Sequence, residues 1–195
     1  WALTSSIFTA GVVPISSIAT TGAANPSVLS FDGATRTFTG TPANGDVGTL
    51  TVTVTATDGS SASVSDTFDI VVGNVNDAPS VATALADQSA TEDAAFSFQF
   101  AANTFADSDV GDTLTYSAQL SGGGALPAWL SFNPANRTFS GTPANGNVAN
   151  VAIDVIASDG KGGSVTDTFN IVVANTNDTP TLANAIPNQN ASEDA

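Results

Sequence analysis

The sequence predicts an all-β protein built as tandem sandwich modules. Three observations predict it. Segments recur at a constant offset of 101 residues, Thr and Val alternate in strand fashion inside each copy, and no stretch carries an apolar period of 3.6. The recurrence has no gap. Leu29-Ser-Phe31 returns as Leu130-Ser-Phe132, Arg36-Thr-Phe38 as Arg137-Thr-Phe139, and Gly40-Thr-Pro-Ala-Asn-Gly45 as Gly141-Thr-Pro-Ala-Asn-Gly146. Asp66-Thr-Phe68 returns as Asp167-Thr-Phe169, and Asn76-Asp77 before Pro79 as Asn177-Asp178 before Pro180. A module of about 100 residues suits a sandwich of roughly seven strands.

Module 2 is expected to hold strands at 95–100, 113–119, 137–141, 151–158 and 165–174, with module 1 counterparts at 50–57 and 64–73. Phe96, Phe98 and Phe100 alternate onto one face, as a core-facing strand requires. Asn44-Gly45 and Asn145-Gly146 are turn signals. The register runs past the second copy, where Glu92-Asp93-Ala94 returns as Glu193-Asp194-Ala195. The expected division is therefore module 1 over 1–76, module 2 over 77–178, and the first-strand stub of a third module over 179–195. Residues 1–28 match 102–129 poorly and read as a divergent half-module or an unrelated leader. A chain that begins at Trp1 and holds no Met reads as a piece of something longer. Its 180–195 segment could then fill the missing first strand of another copy's module 1.

Charge narrows the function. Three Lys+Arg stand against 18 Asp+Glu, a net charge of −15, with no His and no Cys. Imidazole and thiolate chemistry and the usual zinc, iron–sulfur and haem ligand sets are excluded. Nucleic acid is a poor partner for so few cations, and no apolar run is long enough to span a membrane. With 42% hydrophobic and 11% charged residues the chain is no disordered acidic tail. The obvious partner for its carboxylates is a divalent cation such as Ca²⁺.

Four constellations could hold one. Asp107, Asp109 and Asp112 crowd three carboxylates into six residues, and a cation would relieve their repulsion; a solvated acidic turn is the plainer alternative. The spacing starts like an EF-hand loop, but the twelfth position is Ala118 and no helices flank it. Asn74-Val-Asn76-Asp77-Ala-Pro79 and Asn175-Thr-Asn177-Asp178-Thr-Pro180 offer oxygen ligands at each module boundary, or are ordinary linker turns. Asp159-Gly160, matched by Asp58-Gly59, is a ligand, a hairpin turn, or both. Glu92-Asp93 is a ligand pair or a solvated edge-strand charge. Trp129, in a Trp-Leu-x-Phe cluster, is expected in the core rather than stacked on a sugar. The Asn136, Asn177 and Asn190 sequons are frequent by chance here.

Asp107-x-Asp109, Asp159-Gly160 and Asn175-x-Asn177-Asp178-x-Pro180 resemble the cadherin calcium motifs, in cadherin order. Ala128-Trp-Leu-Ser-Phe132 followed by Arg137-Thr-Phe-Ser-Gly-Thr-Pro143 resembles the dystroglycan-type cadherin-like, Ig-like module found in tandem in large bacterial surface and secreted proteins. The resemblance implies cadherin-like/Ig-like sandwiches with Ca²⁺ at the junction. Asn76 and Asp77 would come from one module and Asp107, Asp109 and Asp159 from the next. Glu92, Asn175, Asn177 and Asp178 would serve the following junction. The cadherin mid-domain acidic motif has no counterpart, since Gly141–Gly146 stands nearby, so one or two ions are implied rather than three. Ser6 and Phe8 replace Asp107 and Asp109 in module 1, which leaves Asp58 without partners. The implied function is a non-enzymatic, calcium-binding extracellular repeat that rigidifies a surface adhesin or stalk and supports cell adhesion. Its partners would be neighbouring modules, with a glycan or the same module of another chain as further candidates. The alternatives are a carbohydrate-binding module, a filament or sheath subunit assembled by strand exchange, and a passive stalk.

Overall fold

The computed structural model describes residues 2–4, 15–22 and 29–193. Contacts divide the chain into two compact units. One holds residues 1–83, 105–115 and 156–165; the other holds 84–104, 116–155 and 166–195. The fold is all-β, and no helix among the described residues is long and apolar enough to cross a membrane.

In the first unit, β1 (Ala2–Thr4), β3 (Leu29–Asp32) and β4 (Thr37–Gly40) form one antiparallel sheet in the order β1-β4-β3. The strands β2 (Ile15–Gly22), β5 (Gly48–Thr57) and β6 (Ser63–Val72) form another in the order β2-β5-β6. β5 shows why the sequence folds this way. Leu50, Val52, Val54 and Ala56 point inward and are buried, while the intervening threonines face β6 across the outer surface. Thr51 donates to Asp69, and Thr53 and Thr55 pair with Thr67 and Ser65. Such cross-strand pairs fix register. Phe38 lies at the centre of the core, 4.5 Å from Phe31 and 5.6 Å from Phe68 between ring centroids.

Within 1–28, Ala2–Thr4 and Ile15–Gly22 are strands. Leu3 stands opposite Phe38 on β4. That is the place taken in the second copy by Phe98 of β9 (Phe96–Gln99), opposite Phe139 of β13 (Thr138–Gly141). The constant offset of 101 therefore fails at this end. Residues unrelated to those of the second copy take the position, because a sheet edge asks only for extended backbone.

In the second unit, β12 (Leu130–Asn133), β13 and β9 form a sheet in the order β12-β13-β9. The strands β11 (Thr115–Leu120), β14 (Asn150–Ser158), β15 (Ser164–Ala174) and β8 (Gln88–Thr91) form a sheet in the order β11-β14-β15-β8. The ends of β14 and β15 nearest their connecting turn cluster with the first unit. β8 runs parallel to β15, with Ile171 opposite Gln88 and Ala174 opposite Thr91. Phe139 is fully buried beside Phe98, Phe132 and Phe169. Phe96 and Phe100 are buried on the same strand face as Phe98, as the alternation predicts. Trp129 is half-buried, edge-on to Phe96 at 6.2 Å. Gly141 in the Gly-Thr-Pro motif is required, since a Cβ there would overlap the Trp129 carbonyl.

The two Asn-Gly turns are not two-residue hairpin turns. Each forms one turn of 3-10 helix, Asn44–Asp46 and Asn145–Asn147, and the first carries the chain from β4 to β5 in the other sheet. The reason is a side chain. The Asp46 carboxylate accepts from the Ala43 N–H, and the Asn147 amide oxygen from the Ala144 N–H, closing the turn as a hairpin could not.

Candidate metal centre

The short strands β7 (Ser80–Val81) and β10 (Phe105–Ala106) pair antiparallel within the first unit. Their pairing brings the chain leaving β6 beside the loop that follows β10. Buried Thr104 and Phe105 anchor that loop at its start. The Asp109 N–H donates to the Asp107 carboxylate and the Asp112 N–H to the Asp109 carbonyl. The loop thus curls its three carboxylates inward, and ligand oxygens of Asp107, Asp109 and Asp112 lie within 4.8 Å of one another. Asp109 is only 4% exposed. One oxygen of each carboxylate, Asp107 Oδ2, Asp109 Oδ1 and Asp112 Oδ2, is buried without a hydrogen-bond partner. Burying unpaired charge is expensive unless a counter-ion shares the site.

The boundary segment 74–79 braces this loop. The Asp77 N–H donates to Asp109 Oδ2 at 2.8 Å, and the Asn76 amide donates to Asp159 Oδ2 at 2.9 Å. Asp159 also accepts from the backbone N–H groups of Lys161 and Gly163 and so shapes the turn between β14 and β15. Gly163 must be glycine, because a Cβ would meet the Asp159 carboxylate and the Ala78 backbone. The first copy has Ala62 at the equivalent position.

Asn76 donation, then the Lys161 N–H, holds the Asp159 carboxyl below its ordinary value. A carboxyl whose native value lies below its unfolded one stabilises the fold above the unfolded value, about 3.9. That stability is lost as pH falls from there through the native value. Acid titration of the melting temperature is expected to fall less steeply below about pH 4 for Asp159→Asn than for the unaltered chain. Parallel slopes would remove Asp159 from the acid response.

The residues named from sequence distribute as follows. Asp107 and Asp109 meet in the cluster. Asp112, singled out in the acidic run but not carried into the ligand set, completes it. Asp77 reaches the cluster through its backbone N–H, while its carboxylate accepts from the Asn44 amide. Asp178 and Asn145 make the same contact one repeat later. Asn76 and Asp159 border the cluster, paired with each other. Glu92 lies elsewhere, in the second unit, and is 2% exposed. Its Oε1 accepts from the Thr176 N–H and its Oε2 has no partner, so it is no solvated surface charge. Asn175, Asn177 and Asp178 are exposed along the same segment. Asp58 closes its own turn through the N–H groups of Ser60 and Ala62. Ser6, Phe8, Trp1 and Asp194 lie outside the described residues. Lys161, which pairs with Asp112, gave no signal in the sequence.

The cluster is built only of oxygen donors, which suits a hard cation. With three carboxylates brought together, these residues fit Ca²⁺ and not a soft metal.

The sequence pattern of the family described as "Putative Ig domain" matches residues 2–73 and again 78–174. The chain belongs to that family. The chain is similar to the "Serine-rich adhesin for platelets" of Staphylococcus aureus strain USA300, 34% identical over 145 residues. The match covers 74% of this chain and 6% of that adhesin. Among solved structures, human mucin-like protocadherin EC1-2 is similar with a TM-score of 0.54 at 18% identity, over 86% of this chain and 92% of that one. Mouse cadherin-23 EC22-24 gives 0.53 at 15% identity, over 82% and 53%. These structures establish the cadherin-like, Ig-like fold.

Proposed function

We propose that this chain is a calcium-binding, non-enzymatic repeat, with modules at 1–76 and 77–178, that stiffens an extracellular surface adhesin and supports cell adhesion. One observation carries the reading. Three carboxylates face one another with buried, unpartnered oxygens, in a loop held by the segment that follows the first repeat's last strand. Ca²⁺ coordinated by Asp107, Asp109 and Asp112 would neutralise them. The ion's role is structural, and the residues do the positioning. The Asp77 N–H orients Asp109, and Asn76 and Gly163 hold Asp159 at the rim. Glu92 with Asn175, Asn177 and Asp178 would supply part of a second site for a following module. The likeness to an adhesin supports placement at the cell surface.

The experiment is small-angle scattering of the intact chain in millimolar Ca²⁺ and in chelator. A narrower and longer particle is expected with calcium. Identical profiles would leave the joint between repeats passive and defeat the stiffening role. A glycan platform finds less support, since Trp129 and Tyr116 are half-buried against Phe96 and Phe100.

A further inference from the structure

Lys161 is the only lysine of the chain, and the other two cations are Arg36 and Arg137. Its ammonium donates to Asp112 Oδ1 at 2.5 Å. The two ends of this pair differ. The Asp112 side chain is 6% exposed, while that of Lys161 is 49% exposed. The ammonium therefore enters the acidic cluster from solvent on a flexible four-carbon stem. A lysine ammonium carries its charge throughout the physiological range.

One ammonium cannot satisfy this cluster. It pairs with a single oxygen and leaves Asp107 Oδ2, Asp109 Oδ1 and Asp112 Oδ2 unpartnered. A divalent ion gathering six to eight oxygens neutralises more charge and reaches more of them. The two cations compete for the same carboxylate and repel each other. The first copy offers no such competitor, since Ser60 stands at the equivalent position.

We propose that Lys161 is a tethered counter-ion that occupies the acidic cluster without calcium and is displaced when the ion binds, and so sets the calcium concentration at which the site fills. This rests on the calcium reading above. It adds a regulatory residue that is not a ligand.

The test uses the intact chain and Lys161→Met, which keeps the stem and removes the charge. Calcium is titrated into each by calorimetry at low ionic strength. Calcium affinity is expected to rise about five- to tenfold in the variant, the scale of one unit charge partly screened by water at about 4 Å. Equal affinities would overturn the proposal and leave the calcium site standing. No binding to either chain would overturn the calcium reading, and the proposal with it. A second measurement covers a variant that folds poorly. Isotope-labelled methyl groups placed on the single lysine of the unaltered chain report its environment by NMR. Their signal is expected to move toward that of a free, hydrated lysine with the same calcium midpoint as the calorimetric titration. A signal that stays fixed while calcium binds would also overturn the proposal.

Discussion

Phe139→Ala is expected to cost the second unit about 3–5 kcal/mol, the range for deleting a buried phenyl ring that its surroundings cannot refill. Phe139 has no exposed surface. Phe132 lies at 4.5 Å, Phe169 at 5.4 Å and Phe98 at 6.4 Å between ring centroids. These neighbours come from β9, β12 and β15, so no single strand can close the hole by shifting. A loss this large approaches the whole stability of a domain. Chemical denaturation followed by fluorescence of Trp129, which sits in the same unit, checks it. A midpoint within experimental error of the unaltered chain would show that the aromatic cluster is not the centre of that core.

Asp109→Asn is expected to invert its effect with calcium. Asparagine keeps the size of the side chain and an oxygen for the Asp77 N–H. It removes one of three crowded charges, which without calcium stand partly unpartnered. In chelator the variant is expected to melt at the same temperature as the unaltered chain or above it. In calcium the unaltered chain gains about 2.7 kcal/mol when the ion stands a hundredfold above its Kd, and the variant loses most of that gain. Melting both chains in both buffers gives four midpoints. A variant less stable than the unaltered chain by the same amount in both buffers would make Asp109 a structural hydrogen-bond acceptor and nothing more.

Much of the fold was legible because the sequence states it twice. Alternation placed the long strands of both copies within a few residues of where they lie, since β5, β14 and β15 each bury one face and β6 does so toward its end. The short strands β7, β8, β10 and β12 escaped, because runs this short carry little pattern to separate a strand from a loop; β9 and β13, equally short, were found inside longer expected spans. The leader escaped for another reason. β1 makes its ladder through backbone groups, and backbone pairing leaves no mark in residue identity. At the site, Asp107 and Asp109 were found from the crowding of charge along the chain. Asp112 was overlooked as a ligand although it belongs to the same run, because the cadherin pattern stops short of it. The clasp of Asn44 on Asp77, echoed by Asn145 on Asp178, had a signal in the repeat itself, as both partners recur together at the same offset. Lys161 had none. Its meeting with Asp112 depends on how two loops far apart in sequence come together.

The parallel pairing of β8 with β15 has a mechanical consequence. Within the second unit β8 is the first strand and β15 the last, and they lie side by side pointing the same way. The chain therefore enters this sandwich at one end and leaves at the other. Tension applied along the polypeptide pulls the two strands past each other in opposite directions. The bonds joining Gln88–Thr91 to Ile171–Ala174 are then loaded in shear, all at once, and must fail together. An antiparallel hairpin pulled from its open end would instead surrender one bond at a time. The second unit thus places a joint of the first kind between its own two ends.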